Sequence, residues 1–358
     1  MARQLVLHIG VPKTGTTSIQ RRLAAQRPAL REQGIAYPGG AGLPVPQFLH
    51  RAALAGDDAR DSPVARFRRG FTRELASLPS QISTVILSDE QCSLHLRTTA
   101  QIAQLHGWLV PHFETMQIVI YLRRQDALAA SLYAQMLRHG IADPPSLELA
   151  RGELAFLFDY AALLQNWRTV FGQDALAPRI FAPDAMPGGD VVLDFFAACG
   201  IDPALAGQRA GADINPSMNL QGQALLLSLG RAVRDETGRN QNRDKPWSRL
   251  AAIVTELFPG RGWQPSRAEA ASFMAQYQAG NETIRATWFP ARASLFDMDF
   301  SKLPELPVAL EPEPLGQGAH ALIMHAVRAL VAAEAEHGDE RAARRAAREQ
   351  RRAQRGEH

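Results

Sequence analysis

What most constrains this chain lies at its start. The apolar run Leu5-Val6-Leu7-His8-Ile9-Gly10 leads directly into Val11-Pro12-Lys13-Thr14-Gly15-Thr16-Thr17-Ser18, and then into Ile19-Gln20-Arg21-Arg22-Leu23. The pattern predicts a short buried strand, a glycine-containing turn and a helix beginning near Ile19. Successive backbone N–H groups converge in such a turn, and the helix aims its positive dipole end at the same point. An anion seated there gains fixed hydrogen bonds and favourable electrostatics together.

The position of the lysine narrows the choice of anion. A nucleoside-triphosphate loop reads GxxxxGK[ST], with lysine directly after the second glycine, where it reaches the β- and γ-phosphates. Gly10 and Gly15 keep that spacing, but Thr16 stands in the lysine position and Lys13 lies inside the loop. From the residues alone, a loop for another nucleotide and a Gly/Thr turn without a ligand both stay open. The string Pro12-Lys13-Thr14-Gly15-Thr16-Thr17 resembles the PK[ST]GTT loop of sulfotransferases that use 3′-phosphoadenosine 5′-phosphosulfate (PAPS). That resemblance implies a three-layer, P-loop-like α/β fold with a mainly parallel central sheet. It also implies a 5′-phosphosulfate site made of Lys13, Thr14, Gly15, Thr16, Thr17 and Ser18.

A second motif runs from Gln117 to Tyr133. Residues 118–122, Ile-Val-Ile-Tyr-Leu, form a continuous β-favouring run of the kind found in interior parallel strands. Arg123 and Arg124 lie at its carboxyl end, where ligands of open α/β sheets sit. In the sulfotransferases the strand that binds the 3′-phosphate ends in arginine, and a serine eight residues later completes the site. Arg123 and Ser131 have that spacing. A planar guanidinium suits a phosphate dianion because it grips two oxygens at once. Arg124 is open between sharing the ligand and being a solvated charge.

Candidates for taking a proton from an acceptor come from two places. The stretch from Gly34 to Pro46 is too rich in Gly and Pro for regular structure and is a possible wall of an acceptor pocket. His50 follows it, and histidine is the usual general base. The strand-like Thr84-Val85-Ile86-Leu87 ends in Ser88-Asp89-Glu90-Gln91, which puts carboxylates on the ligand rim of the sheet. Related bacterial sulfotransferases commonly end this strand in a Ser-Ser-Glu-like sequence, and in glycan sulfotransferases a glutamate is the base. The resemblance therefore favours Glu90, with Asp89 as fallback; the alternative is a Glu90 that caps or salt-bridges the next helix.

Further along, Tyr160 to Phe171 has the apolar spacing of a core-packing helix, Arg179-Ile180-Phe181 reads as a strand, and Val191 to Phe196 opens another helix. The Asp213 to Ser217 turn and the Asn281 to Pro290 segment are similar to parts of the bacterial family and read as structural. Residues 231–249 are polar, basic and irregular, and lack the RKGxxG string of the loop that closes over the 3′-phosphate in cytosolic sulfotransferases. They read as a solvated loop.

With 358 residues and 46% hydrophobic content, the chain can bury one large core. The expected division is a sulfotransferase-like domain over 1–310, a docking helix over 311–338 that is a possible homo-oligomer contact, and a solvated arginine-rich tail over 339–358. The tail holds seven arginines and two glutamates after residue 340, a local +5; removing it from the net +3 leaves the rest at −2. That balance argues against a nucleic-acid-binding core. Cys92 and Cys199 are too few and too far apart for a disulfide framework or a zinc site. No stretch reads as a secretion signal or a membrane span, so the expected setting is cytoplasmic and bacterial.

The chemistry these expectations add up to is in-line transfer of a sulfonyl group from PAPS to a hydroxyl or amine of a carbohydrate, glycolipid or small-molecule acceptor, leaving PAP. Lys13 neutralises charge on the departing phosphate, and Glu90 or His50 takes the proton. No metal is needed, because the donor lacks the β- and γ-phosphates that magnesium bridges in kinases. The rival readings are a P-loop kinase or NTPase and a non-catalytic binding protein of the same fold.

Overall fold

The structure is a computed structural model that describes residues 3–39, 49–54, 63–148, 152–207, 217–237 and 245–310. The elements in the first half are β1 (Gln4–His8), α1 (Thr16–Ala25), α2 (Arg27–Glu32), β2 (Ile35–Ala36), α3 (Leu49–Leu54), α4 (Pro63–Ser77), β3 (Thr84–Ser88), α5 (Gln91–His95), α6 (Thr99–Leu109) and β4 (Thr115–Leu122). There follow α7 (Gln125–Arg138), α8 (Tyr160–Phe171), β5 (Leu176–Ile180), α9 (Val191–Ala198), α10 (Leu220–Thr237), α11 (Lys245–Leu257), α12 (Arg267–Ala275) and α13 (Gln278–Trp288). The expected docking helix over 311–338 and the tail over 339–358 lie outside the described residues, as do positions 40–46 of the Gly/Pro-rich stretch, Asp213 to Pro216, and positions 238–244 of the basic stretch 231–249.

The chain forms two compact units. The first comprises Met1–Ala129, Leu147–Asn215 and Ser266–Leu306. It holds a five-stranded parallel sheet in the order β2-β3-β1-β4-β5, flanked by helices, so the chain is α/β as the sequence predicts. β1 is central because both its faces are apolar: Leu5, Val6 and Leu7 are at most 2% exposed. Successive residues point to opposite faces of a strand. Val6, Ile86, Val119 and Tyr121 thus share one face, where they pack with Ile19 and Leu23 of α1 and with Phe195 and Phe196 of α9. The run 118–122 lies inside β4, paired throughout with β5 and, at Ile118 and Val119, with β1, and is fully buried.

Two buried polar groups pin this packing. The Tyr121 hydroxyl donates to Asp194 of α9 at 2.7 Å, and the Arg179 guanidinium of β5 grips the same carboxylate with two N–H groups, one at 2.6 Å. In the central strand, His8 sits at 0% exposure with Nδ1 2.9 Å from the Ser88 hydroxyl. Burial drives its pKa down to about 3, so it stays neutral.

The second unit comprises Ala130–Ser146, Pro216–Pro265 and the chain from Pro307 onward. Trp263 organises its described part: its backbone N–H donates to Gln223 Oε1 at 2.8 Å, its indole N–H to the Val308 carbonyl at 3.1 Å, and its ring meets Tyr133 edge-on.

Three local expectations change. Helix α1 begins at Thr16 and not near Ile19, because Gly15 adopts the left-handed conformation (φ 82°, ψ 12°) that closes the preceding loop and starts the helix at once. The two-residue edge strand β2 lies in a stretch that composition reads as irregular; Gly34 (φ 75°) turns the chain onto β3 there. Residues 231–237 and 245–249 are helical, in α10 and α11, since buried apolar positions such as Leu229, Val233, Trp247 and Ala251 hold the two helices in place despite their polar composition. No helix of the described residues is long and apolar enough to cross a membrane.

Replacing Asp194 by alanine strands a buried phenol and a largely buried guanidinium. It is expected to lower stability by about 3 kcal/mol, read as a shift of the urea unfolding midpoint, whereas Tyr121→Phe costs about 1 kcal/mol.

Candidate functional site

Parallel pairing brings three strand ends to one rim of the first unit's sheet. His8 faces Ser88 on one side and Val119 on the other, and the Asp89 N–H donates to the His8 carbonyl at 2.9 Å. The loop after β1, the Asp89-Glu90 turn after β3 and Arg123 after β4 therefore emerge together. β1 lies where successive connections leave on opposite sides, which is where open α/β sheets form their ligand crevice.

The loop between β1 and α1 is held in a shape that few residues allow. Gly10 (φ 49°), Lys13 (φ 67°) and Gly15 (φ 82°) all have left-handed backbones, and Lys13 is the one non-glycine with positive φ among the described residues. A strained non-glycine position of this kind costs on the order of 1 kcal/mol or more and persists because its surroundings enforce it. The Thr14 hydroxyl, fully buried, donates to the Val11 carbonyl at 2.6 Å and closes the turn.

No side chain caps α1, and among the described residues the N–H groups of Gly15, Thr16 and Thr17 have no acceptor, whereas that of Ser18 donates to the Gly15 carbonyl at 3.0 Å. Three convergent donors at a helix N-terminus form a cradle for an anion. Of the residues expected at the phosphosulfate site, Thr14 thus supports the loop through its side chain, while Gly15, Thr16 and Thr17 supply the open donors.

Glu90 lies against this loop. A Cβ on Gly10 would stand 2.9 Å from Thr16 Oγ1 and 3.1 Å from Glu90 Cβ, so the close approach of strand end, helix start and Glu90 needs a glycine there. Burial pushes the Glu90 carboxyl above its ordinary range, and the neighbouring Asp89 adds to the shift. The Thr16 hydroxyl and the Lys13 charge oppose it. Thr16 Oγ1 is buried and close enough to Glu90 to act on it, yet makes no hydrogen bond of normal geometry.

The two arginines after β4 have opposite fates. Arg124 is saturated: it grips Asp126 with two N–H groups at 2.8 and 2.9 Å, donates to the Asp297 and Asp299 carbonyls, and lies over the Phe300 ring. It is neither a ligand group nor a solvated charge but a clamp on the segment after α13. Arg123 donates once, from Nη1 to the Lys13 carbonyl at 2.9 Å, and lies 5.6 Å from the Phe181 ring. Among the described residues no carboxylate pairs with it, and burial lowers its pKa. Its position is fixed from behind by Tyr160, whose hydroxyl donates to the Arg123 carbonyl at 2.7 Å. A cleft of about 330 Å³ lies beyond, lined by Gln125, Phe158, Tyr160, Tyr277 and Asn281 among others.

Asp89 and His50 form a pair that the sequence does not announce. His50, on α3 and 6% exposed, has Nδ1 3.4 Å from Asp89 Oδ2, and its ring stacks on His95 of α5 with centroids 4.7 Å apart. Asp89 Oδ1 accepts the Gln91 N–H at 3.0 Å. Ser131 lies on α7, half-buried, beyond the first unit's boundary at Ala129; what it offers a ligand rests on the resemblance alone. Cys92 and Cys199 are free thiols, and among the described residues no group of three or more His, Cys, Asp or Glu is placed to hold a metal.

Comparison with known proteins adds three findings. No family model matches the sequence. An uncharacterized protein of Archaeoglobus fulgidus is 34% identical over 181 residues, which is 48% of this chain and 46% of that protein; the match thus spans about half the relative's length. The crystal structure of a sulfotransferase from Alicyclobacillus acidocaldarius covers 69% of this chain and 99% of its own, at 15% identity and a TM-score of 0.37.

The glycine at the start of α1 offers a direct test of the cradle. A Cβ on Gly15 would stand 2.7 Å from Val191 Cγ1, on a backbone that side chains rarely adopt. Gly15→Ala is expected to cost about 1–3 kcal/mol of stability, measured by thermal unfolding, and to weaken anion binding at the loop.

Proposed function

We propose that this protein is a PAPS-dependent sulfotransferase, moving a sulfonyl group to a hydroxyl or amine of a carbohydrate, glycolipid or small-molecule acceptor. The observation that carries the reading is Arg123, a largely buried cation with no carboxylate partner among the described residues, fastened to the backbone of the loop that carries Lys13. Burying an unpaired charge is costly, and an arriving anion offsets that cost. A donor with two separate phosphate groups suits a rim that offers both a helix N-terminal cradle and a lone guanidinium beside it.

In this reading the N–H groups of Gly15, Thr16 and Thr17 hold the 5′-phosphate and Arg123 takes the 3′-phosphate. The acceptor oxygen attacks sulfur, the bond from sulfur to the bridging phosphate oxygen breaks, and the electron pair leaves with PAP. Lys13 neutralises the charge that grows on that oxygen. A group on the turn after β3 or next to it receives the acceptor's proton. The two free thiols are compatible with a reducing, cytoplasmic setting.

Two substitutions separate the roles. Removing a preorganised charge costs about a hundredfold or more in turnover, so Lys13→Ala is expected to slow PAP formation by that factor while PAP binding survives. Arg123→Ala loses a charge-assisted contact worth about 1.5–3 kcal/mol, a drop of roughly ten- to hundredfold in PAP affinity. Calorimetric titration with PAP and with ADP, without magnesium, checks the premise. Preferential binding of ADP, or unaltered PAP affinity in Arg123→Ala, would overturn the assignment.

A further inference from the structure

We infer that His50 receives the acceptor's proton and that Asp89 is the positioning residue that holds it ready, an inference that rests on the sulfonyl-transfer reading above. The geometry leads there by elimination among the groups of one nook. His8 is fully buried inside the sheet, its Nδ1 engaged with Ser88. Glu90 is turned toward the anion loop, where its carboxyl meets the Thr16 hydroxyl and the field of Lys13. A side chain on Gly10 would meet its Cβ, so Glu90 stands against the loop that would take the donor's phosphate.

Asp89 sits at the centre of that nook. It is 1% exposed, and its charge is felt by Tyr37, Glu90, Cys92 and His95. One oxygen is tied to the backbone at Gln91, which leaves the other to accept from His50 Nδ1. With the proton on Nδ1, the lone pair is on Nε2, which makes the neutral ring a proton acceptor. The 3.4 Å separation is long for a hydrogen bond, as is common where such contacts tighten only with substrate in place. His95 stacks on the ring at an interplanar angle of 18° and limits its rotation. α3 packs on α5, which follows directly on the turn after β3.

The step balances simply. The acceptor O–H gives its proton to His50 Nε2 as the oxygen–sulfur bond forms, and the bond from sulfur to the phosphate oxygen breaks with its electrons going to PAP. Asp89 stabilises the imidazolium that results and keeps the reactive tautomer populated beforehand.

The test uses the full chain and three variants, His50→Gln, Asp89→Asn and Glu90→Gln. Nitrogen-15 spectra of the imidazoles, with the His50 signal assigned by its loss in His50→Gln, are expected to place its proton on Nδ1 and to lose that preference in Asp89→Asn. PAP release from PAPS with water as acceptor is expected to fall about a hundredfold or more in His50→Gln. In Asp89→Asn it falls about tenfold or more, with KM for PAPS and affinity for PAP unchanged in both. A tautomer indifferent to Asp89→Asn, or a turnover that collapses in Glu90→Gln but not in His50→Gln, would overturn the inference while leaving sulfonyl transfer standing. If the unaltered chain binds no PAP, the sulfonyl-transfer reading falls, and the proton role with it.

Discussion

The hydrogen-bond ladder that holds β1 between β3 and β4 is the constraint on which the rest depends. Pairing His8 with both Ser88 and Val119 sets the ends of β1 and β3 level and lets β4 run on to Leu122 beside the loop after β1, and the groups of the candidate site other than His50, which comes from α3, follow one of those ends. Parallel strands reach this arrangement only through long crossovers, so residues 80 and 111 positions apart in sequence become neighbours. The apolar sheet faces supply the driving force, and the buried Tyr121–Asp194–Arg179 contact secures α9 against the sheet. Since Val191 of α9 packs at Gly15, that same helix also braces the anion loop.

Electrostatics then divides the rim by partner and not by residue type. Arg123 and Arg124 are adjacent, yet Arg124 is saturated by Asp126 and two carbonyls while Arg123, among the described residues, donates to one carbonyl and meets no carboxylate. Asp89 and Glu90 divide likewise, one bound to His50 and the backbone, the other raised in pKa beside the loop. In each pair, consecutive side chains leave the strand end in different directions, so a one-residue shift changes a structural clamp into a group that can meet ligand.

Much of this was legible beforehand. The strand at 118–122 needed only its unbroken apolar run, and α8 runs from Tyr160 to Phe171 as its helical spacing predicts. That a glycine turn would carry the chain from a first strand straight into a helix follows from the glycines and the patterns on either side. Less legible were β2, two residues long, and the helical character of residues 231–237, where basic composition masked the apolar positions of α10. Local pattern says little when an element is stabilised by a distant partner.

By itself, then, the sequence determined the fold class, the position of the glycine loop and the set of chemically able residues, because periodicity, glycine spacing and side-chain type are properties of the chain. Only the tertiary structure decided which arginine meets no carboxylate among the described residues, that Glu90 faces the loop, and that Asp89 meets His50. Those outcomes depend on burial and on contacts across 39 to 175 positions of sequence, and no local pattern encodes which distant group arrives to satisfy a charge.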